Sequence, residues 1–210
     1  MSAITLYDFA LDDNCYKVRV LLSALGLDYT TAEVDVFPGA EQRSEKMLAL
    51  NPRGAIPVLT DGDLVLHEAE PILAYLAHRY DAARTWLPDD PALFGAVMMW
   101  LAFAGHDLNA ASVARLNAMM EVPADVPAVL DAAKMALRIM EDHMTAREFD
   151  GKHWFVGEAA TLADIALFPG FALSRDSGIE HDAYPALRRW GRRVRTIPGF
   201  KTMPGIPDYH

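Results

Sequence analysis

The chain has 210 residues, 52% hydrophobic and 23% charged, with a formal net charge of −10. This is enough apolar material for a buried core and excludes a disordered chain, while the acidic balance argues against nucleic acid, whose phosphates need a basic footprint. Cys15 is the only cysteine, which excludes an intrachain disulfide and fits a reducing, cytoplasmic compartment. The N-terminus carries Asp8, Asp12 and Asp13 and no basic start, unlike a secretory signal. The longest uncharged apolar run, Ala92 to His106, is shorter than the ~20 residues a bilayer span needs, so it reads as a buried helix and no membrane partner is expected.

In chain order, residues 4–9 read as a short buried strand and residues 14–25 as a helix stopped by Gly26. Alternation in Ala32, Val34 and Val36 predicts a second strand over 29–37, broken by Pro38-Gly39. A weaker helix follows over 40–50. Residues 56–60 and 63–66 flank Asp61-Gly62, a strong hairpin signal, and helix returns over 70–80. The order β-α-β-α-β-β-α implies one mixed sheet covered by helices, an α/β unit over residues 1–80. Residues 81–89 contain Pro88 and no periodicity and read as a linker.

Residues 90–210 show no strand pattern, which predicts an all-helical second unit. Asp90-Pro91 is a good N-cap and first-turn pair for one long helix running to Met120. Pro123 and Pro127 separate it from a helix over 128–149. Thr161 to Asp164 resembles a capping box that starts a buried helix over 162–173. In a last helix over 184–196, Leu187, Trp190, Val194 and Ile197 form a stripe through Arg188, Arg189, Arg192, Arg193 and Arg195, the pattern of a solvated face with cations toward the C-terminus.

Pro57 is the most informative single residue. Within an apolar strand it lacks the amide that a central ladder requires. Either it lies at a sheet edge, or the Ile56-Pro57 bond is cis and turns the neighbouring backbone outward, where an extended peptide ligand can pair with it. The seven histidines are scattered and none forms a ligand pair with Cys15, so no metal site is expected.

The segment Asn51-Pro52-Arg53-Gly54-Ala55-Ile56-Pro57-Val58-Leu59 resembles the "NPxGxxPxL" loop of glutathione transferases. Asn14 to Arg19 with Leu25-Gly26-Leu27 is similar to the first helix of that family, and His67 to Leu76 to the helix that holds the γ-glutamyl end of glutathione. Thr161 to Asp164 is similar to the capping box of its helical domain, and Tyr184-Pro185 with Ile197 to Phe200 to its C-terminal helix. Five such motifs in order span nearly the whole chain. The resemblance implies a thioredoxin-like N-terminal domain, an all-helical C-terminal domain, glutathione as co-substrate, a small hydrophobic electrophile as second substrate, and a homodimer.

It also implies roles. Glutathione's cysteine would pair with the backbone of Ile56 before a cis Pro57, its γ-glutamyl carboxylate would sit at the helix start around Ala69, and Glu68 would accept its ammonium. A donor at the start of the first helix would ionise its thiol, the thiolate being the nucleophile. The usual Ser, Tyr or Cys at that point is Asp12 here, an acceptor that as a carboxylate raises a nearby thiol's pKa. Ala69 stands where relatives carry a carboxylate-binding Ser, and Ala55 where Gln or Lys assists; each missing hydrogen bond to a charged group costs ~1.5–3 kcal/mol. Asn14 offers an amide as a substitute, or else caps the helix. Cys15 is either a packed residue or a thiol for mixed disulfides. Glu68 otherwise supplies only a charge at a helix start. Phe9, Leu11, Phe103, Asp107 and Arg115, with Trp100 and Asn109, are the candidates for the second-substrate pocket; at helical spacing most of the aromatics fit a core better than a pocket, and Asp107 otherwise forms an ion pair with a residue such as Arg115 or lies on a polar solvent face. The expected activity is conjugation or reduction of an electrophile with glutathione. The alternatives are a non-catalytic glutathione or hydrophobic-ligand binder, and a glutathione-dependent isomerase or thiol reductase.

Overall fold

Alternating burial along β1 (Ile4–Asp8) puts Ile4, Leu6 and Asp8 on one face of a sheet. In the computed structural model, which describes residues 4–206, β1 pairs in parallel with β2 (Tyr29–Glu33) and antiparallel with β3 (Val58–Asp61), Leu6 lying opposite Leu59. Gly62, at φ +60°, closes the turn into antiparallel β4 (Leu64–His67). The strand order is β2-β1-β3-β4. A parallel pair needs a crossover, and α1 (Asp13–Ala24) supplies it. With α3 (Ala69–Tyr80), α1 covers the face that carries Leu6 and Leu59, joining Leu21 and Leu22 to Ile72, Leu73 and Leu76. The short α2 (Glu45–Leu50) covers the other, where Met47 meets Val34 and Val58.

No helix or strand forms over residues 81–90. Beyond them every regular element among the described residues is helical: α4 (Pro91–Gly105), α5 (Asn109–Met120), α6 (Val126–Phe149), α7 (Leu162–Ala172) and α8 (Pro185–Val194), with 3-10 turns at Ser174–Ser177 and His181–Ala183. The expected α/β half followed by an all-helical half is what the chain forms. Every residue of α7 is buried, and it packs against α1, α3, α4, α5 and α8.

Four local expectations are corrected. The single long helix to Met120 is two, interrupted at residues 106–108, because Leu108 turns in against Gly170 of α7, where a Cβ would lie 2.6 Å from the leucine. β2 ends at Glu33 rather than 37: Glu41 N donates to Asp35 O at 2.8 Å and Asp35 N to the Glu41 carboxylate at 2.9 Å, in place of a ladder. The helix expected over 40–50 is a 3-10 turn followed by α2, whose N-cap is Ser44. Pro57 precedes β3 instead of lying within it, and Ile56-Pro57 is cis, as is Phe37-Pro38. The stretch Pro91–Met120 is long and apolar enough by composition to cross a membrane, but its two helices of 15 and 12 residues each fall short of the ~20 that a span needs.

Asp164 holds this architecture at one point. The expected capping box is present at Thr161 and Asp164, and the carboxylate accepts from Thr161 N at 2.9 Å, Phe155 N at 3.1 Å and Trp190 Nε1 at 2.8 Å. Three segments thus converge on one buried group. Asp164→Ala should cost at least ~3 kcal/mol, because buried donors lose their acceptor; urea unfolding should show a lowered midpoint with an unchanged slope. Burial pushes the Asp164 carboxyl from its ordinary 3.8 up to about 6. The folded state therefore keeps a proton that the unfolded chain loses first. This group's contribution is complete below the unfolded value and fades as pH rises through about 6. The fading should be absent from the stability–pH curve of Asp164→Asn.

Candidate active site

The turn between β1 and α1 is held by two arginines. Arg19 of α1 pairs with the Asp8 carboxylate and donates to Phe9 O at 3.3 Å and Ala10 O at 2.9 Å. Arg115 of α5, buried at 2% exposure, donates through Nη1 to Leu11 O at 2.6 Å and through Nε to the Asp176 carboxylate at 2.8 Å. Three consecutive carbonyls are thus drawn to guanidinium groups. Ser112 of α5 donates to the Asp13 carboxylate close by.

α1 starts beyond this turn. Its N-cap is Asp12, not Asn14: an Asp12 oxygen accepts from Cys15 N at 2.7 Å, and Tyr16 N donates to Asp12 O at 3.0 Å. Of the orphan amides at a helix start, those of Asp13 and Asn14 have no partner among the described residues. The Asp12 carboxyl is pushed up to about 7 by burial and then by Asp13, against the pull of the Cys15 amide and Lys17. It is therefore not the fully ionised carboxylate expected near neutral pH. Asn14 Oδ1 accepts from Lys17 Nζ at 2.8 Å, and Lys17 reaches Glu70 of α3 at 2.9 Å.

Cys15 takes the packed alternative. It is fully buried, with Sγ 3.9 Å from Tyr7 O. Burial, followed by the charges of Asp12 and Asp8, pushes its thiol well above the ordinary range. A reactive cysteine needs a thiolate and access, and Cys15 has neither.

The loop before β3 is built by Asn51. Its Nδ2 donates to Ala55 O at 2.8 Å and its Oδ1 accepts from Arg53 N at 3.0 Å, while Gly54 turns at φ +61°. The backbone N–H and C=O of Ile56 bond to nothing among the described residues. Glu68, at φ +70°, is the N-cap of α3 and makes no side-chain cap, so the amides of Ala69 and Glu70 have no partner among the described residues; Pro71 has no N–H. The Glu68 carboxylate lies 3.0 Å from Arg53.

The five candidates for the second-substrate pocket are not brought into one cavity. Phe9 lines a cleft of about 450 Å³ with Asp8, Thr31, Glu33, Asp35 and Glu41. Leu11 faces Arg115 through its carbonyl, and Arg115 donates to that carbonyl and to Asp176, not to Asp107. Asp107 sits in the exposed bend between α4 and α5 beside His106, in a groove against Met135 and Ile139 of α6. Phe103 packs edge-on against Trp100, whose other neighbours are His143 and Phe155. Asn109 opens α5 and is exposed. Among the described residues no group of three His, Cys, Asp or Glu side chains is poised around a metal. Sequence reasoning passed over Lys17, Arg19, Ser112 and Glu70. Only the first left a signal, standing three residues after Asn14 on the same helical face.

Family models give the same reading. The model for the glutathione S-transferase N-terminal domain matches residues 6–84, and that for the C-terminal domain residues 99–198. The chain is 30% identical to glutathione S-transferase 3 of Zea mays, over 99% of this chain and 96% of that one. It is 26% identical to the disulfide-bond oxidoreductase YfcG of Escherichia coli, over 93% and 91% of the two chains. The crystal structure of a glutathione S-transferase from Pseudomonas fluorescens superposes with a TM-score of 0.86 at 30% identity, covering 97% of this chain and all of that one. With an α/β half and a helical half meeting at a turn before α1, and with both halves matched in order, the chain belongs to the glutathione S-transferase family.

Proposed function

We propose that this protein binds glutathione along the starts of α1 and α3 and joins it, through its sulfur, to a small electrophile. The observation that carries this reading is a continuous run of contacts. It passes from Asn14 through Lys17 to Glu70, then along the α3 backbone through Ala69 to Glu68, and on to Arg53 in the loop before Ile56. The run has the features that an extended tripeptide needs. The free Ile56 backbone pairs with the cysteinyl residue, and the Ala69 and Glu70 amides take the γ-glutamyl carboxylate at the positive end of α3. Glu68, shared with Arg53, accepts the ammonium. The two units divide at residues 81–89, and the lone cysteine supports a cytoplasmic setting.

The thiol gives its proton to solvent. Its sulfur is stabilised by the Asp13 and Asn14 amides and the Asn14 side-chain amide. The thiolate attacks an electrophilic carbon; the C–S bond forms as the bond to the leaving group breaks, and that group departs with the electron pair. The relative named for disulfide-bond oxidoreduction supports a second reading, glutathione-dependent reduction. With Cys15 buried, glutathione's own sulfur would form the mixed disulfide.

Apolar side chains exposed on β4 (Leu64, Val65), α4 (Leu93, Phe94, Met98, Met99) and α6 (Met135, Ile139) support a homodimer. Phe94→Glu with Met99→Glu should convert the dimer to a monomer in light scattering. A wild-type monomer would remove the proposal.

Two measurements test the site. Ala69→Ser adds a hydroxyl beside the carboxylate, so calorimetry should show glutathione binding tightened about tenfold, ~1.4 kcal/mol; unchanged affinity would move the γ-glutamyl end elsewhere. Asp12 is neutral below about 7 and an anion above it, so it opposes the thiolate mainly on the alkaline side. In a haloarene conjugation assay, Asp12→Asn should therefore exceed the native rate increasingly above pH 7. Equal profiles would mean that Asp12 does not face the sulfur, and no turnover with intact binding would favour a non-catalytic binder.

A further inference from the structure

Lys17 lies on α1 at 3% exposure. A buried ammonium is costly unless its protons are met, and Lys17 Nζ donates to Asn14 Oδ1 at 2.8 Å and to Glu70 Oε1 at 2.9 Å. The consequence falls on Asn14. A carboxamide has one accepting end and one donating end, and rotation by half a turn exchanges them with almost no change of shape. Free to rotate, Asn14 would offer a thiolate its carbonyl as readily as its NH2, and the carbonyl repels. With Oδ1 bound to an ammonium, the NH2 is left on the opposite edge. The ammonium is held in turn by a carboxylate from another element, since Glu70 stands in the first turn of α3.

We propose that Lys17 is a positioning residue: clamped by Glu70, it fixes the side-chain amide of Asn14 so that its NH2, and not its oxygen, meets glutathione's sulfur. This rests on the glutathione reading of the site and adds to it a physical link between the two ends of the tripeptide. Glu70 directly follows Ala69, where the γ-glutamyl carboxylate binds, and through Lys17 it sets the donor at the thiol. The charged group facing this trio is Asp12 from the turn before α1. Asp13 is bonded by Ser112 from α5.

The test is a double-mutant cycle on the full chain, with Lys17→Met, Asn14→Ala and the two combined. Calorimetry reads glutathione affinity, ultraviolet thiolate absorbance against pH reads the pKa of the bound thiol, and haloarene conjugation reads kcat and KM. Each single change should raise the thiol pKa by about one unit and lower kcat at neutral pH about tenfold, with affinity changed less than about threefold. The double variant should be no worse than Asn14→Ala, and Lys17→Arg, which keeps a donor, should recover most of the loss. Additive effects in the double variant would mean that the ammonium acts on the sulfur by its charge alone, and would overturn the proposal. So would an unchanged thiol pKa in Lys17→Met. If Lys17→Met does not fold, Glu70→Gln loosens the clamp at constant volume and should raise the thiol pKa in the same direction; no change there also overturns it. A native protein that binds no glutathione removes the underlying reading, an outcome that calorimetry on the wild type reports separately.

Discussion

The shape of the candidate site depends on two guanidinium groups that hold the three carbonyls after β1. A peptide unit is planar, with its C=O and N–H on opposite sides. Directing Phe9, Ala10 and Leu11 carbonyls toward Arg19 and Arg115 therefore turns the intervening amides away from those cations. Arg19 belongs to the α/β half and Arg115 to the helical half. The turn that leads into α1 is thus shaped from both sides, and neither half alone could present it this way. Arginine suits the task because its planar fork serves a carbonyl and a carboxylate at once; Arg115 does so with Leu11 and Asp176.

The helical half transmits this through α7. Its Asp164 ties Phe155 and Trp190 to the helix start, and α7 packs on α1 and α3 as well as on its own neighbours. Helix α8 is fixed in the same manner. Glu141 of α6, itself buried, accepts from Ala186 N and Leu187 N at 2.9 Å each, filling orphan amides at the α8 start. The chain beyond α8 then returns to the α/β half, where Tyr16 Oη donates to Lys201 O at 2.5 Å. Helix α1 is consequently gripped along its length by polar contacts as well as by packing.

Within this frame the acids near the α1 start differ in their company. Asp8 has Arg19 and Asp13 has Ser112. Asp12 has the amide and the thiol of Cys15 and the more distant charge of Lys17, and burial with a neighbouring acid drives its carboxyl up to about 7. Near neutrality this carboxyl therefore carries a partial proton rather than a full charge. The same burial removes Cys15 from chemistry.

Local spacing carried most of the fold. The β-α order, the Asp61-Gly62 hairpin, the Asp90-Pro91 helix start and the Thr161–Asp164 capping box are each written within a few residues, and short-range geometry decides them. The NPxGxxPxL segment likewise announced the cis Pro57. What only the tertiary structure decided involves partners far apart in sequence. The bend at 106–108 exists because Leu108 meets Gly170, and Arg115 turns from a pocket candidate into a brace because Leu11 O and Asp176 approach it. Asp107 is displaced to an exposed groove by that same bend. An apolar run such as Ala92 to His106 has no contrast between its faces, so periodicity cannot say which side turns inward. Lys17 and Glu70, 53 residues apart, meet only because α1 and α3 lie together on one face of the sheet, and that packing is a property of the whole fold.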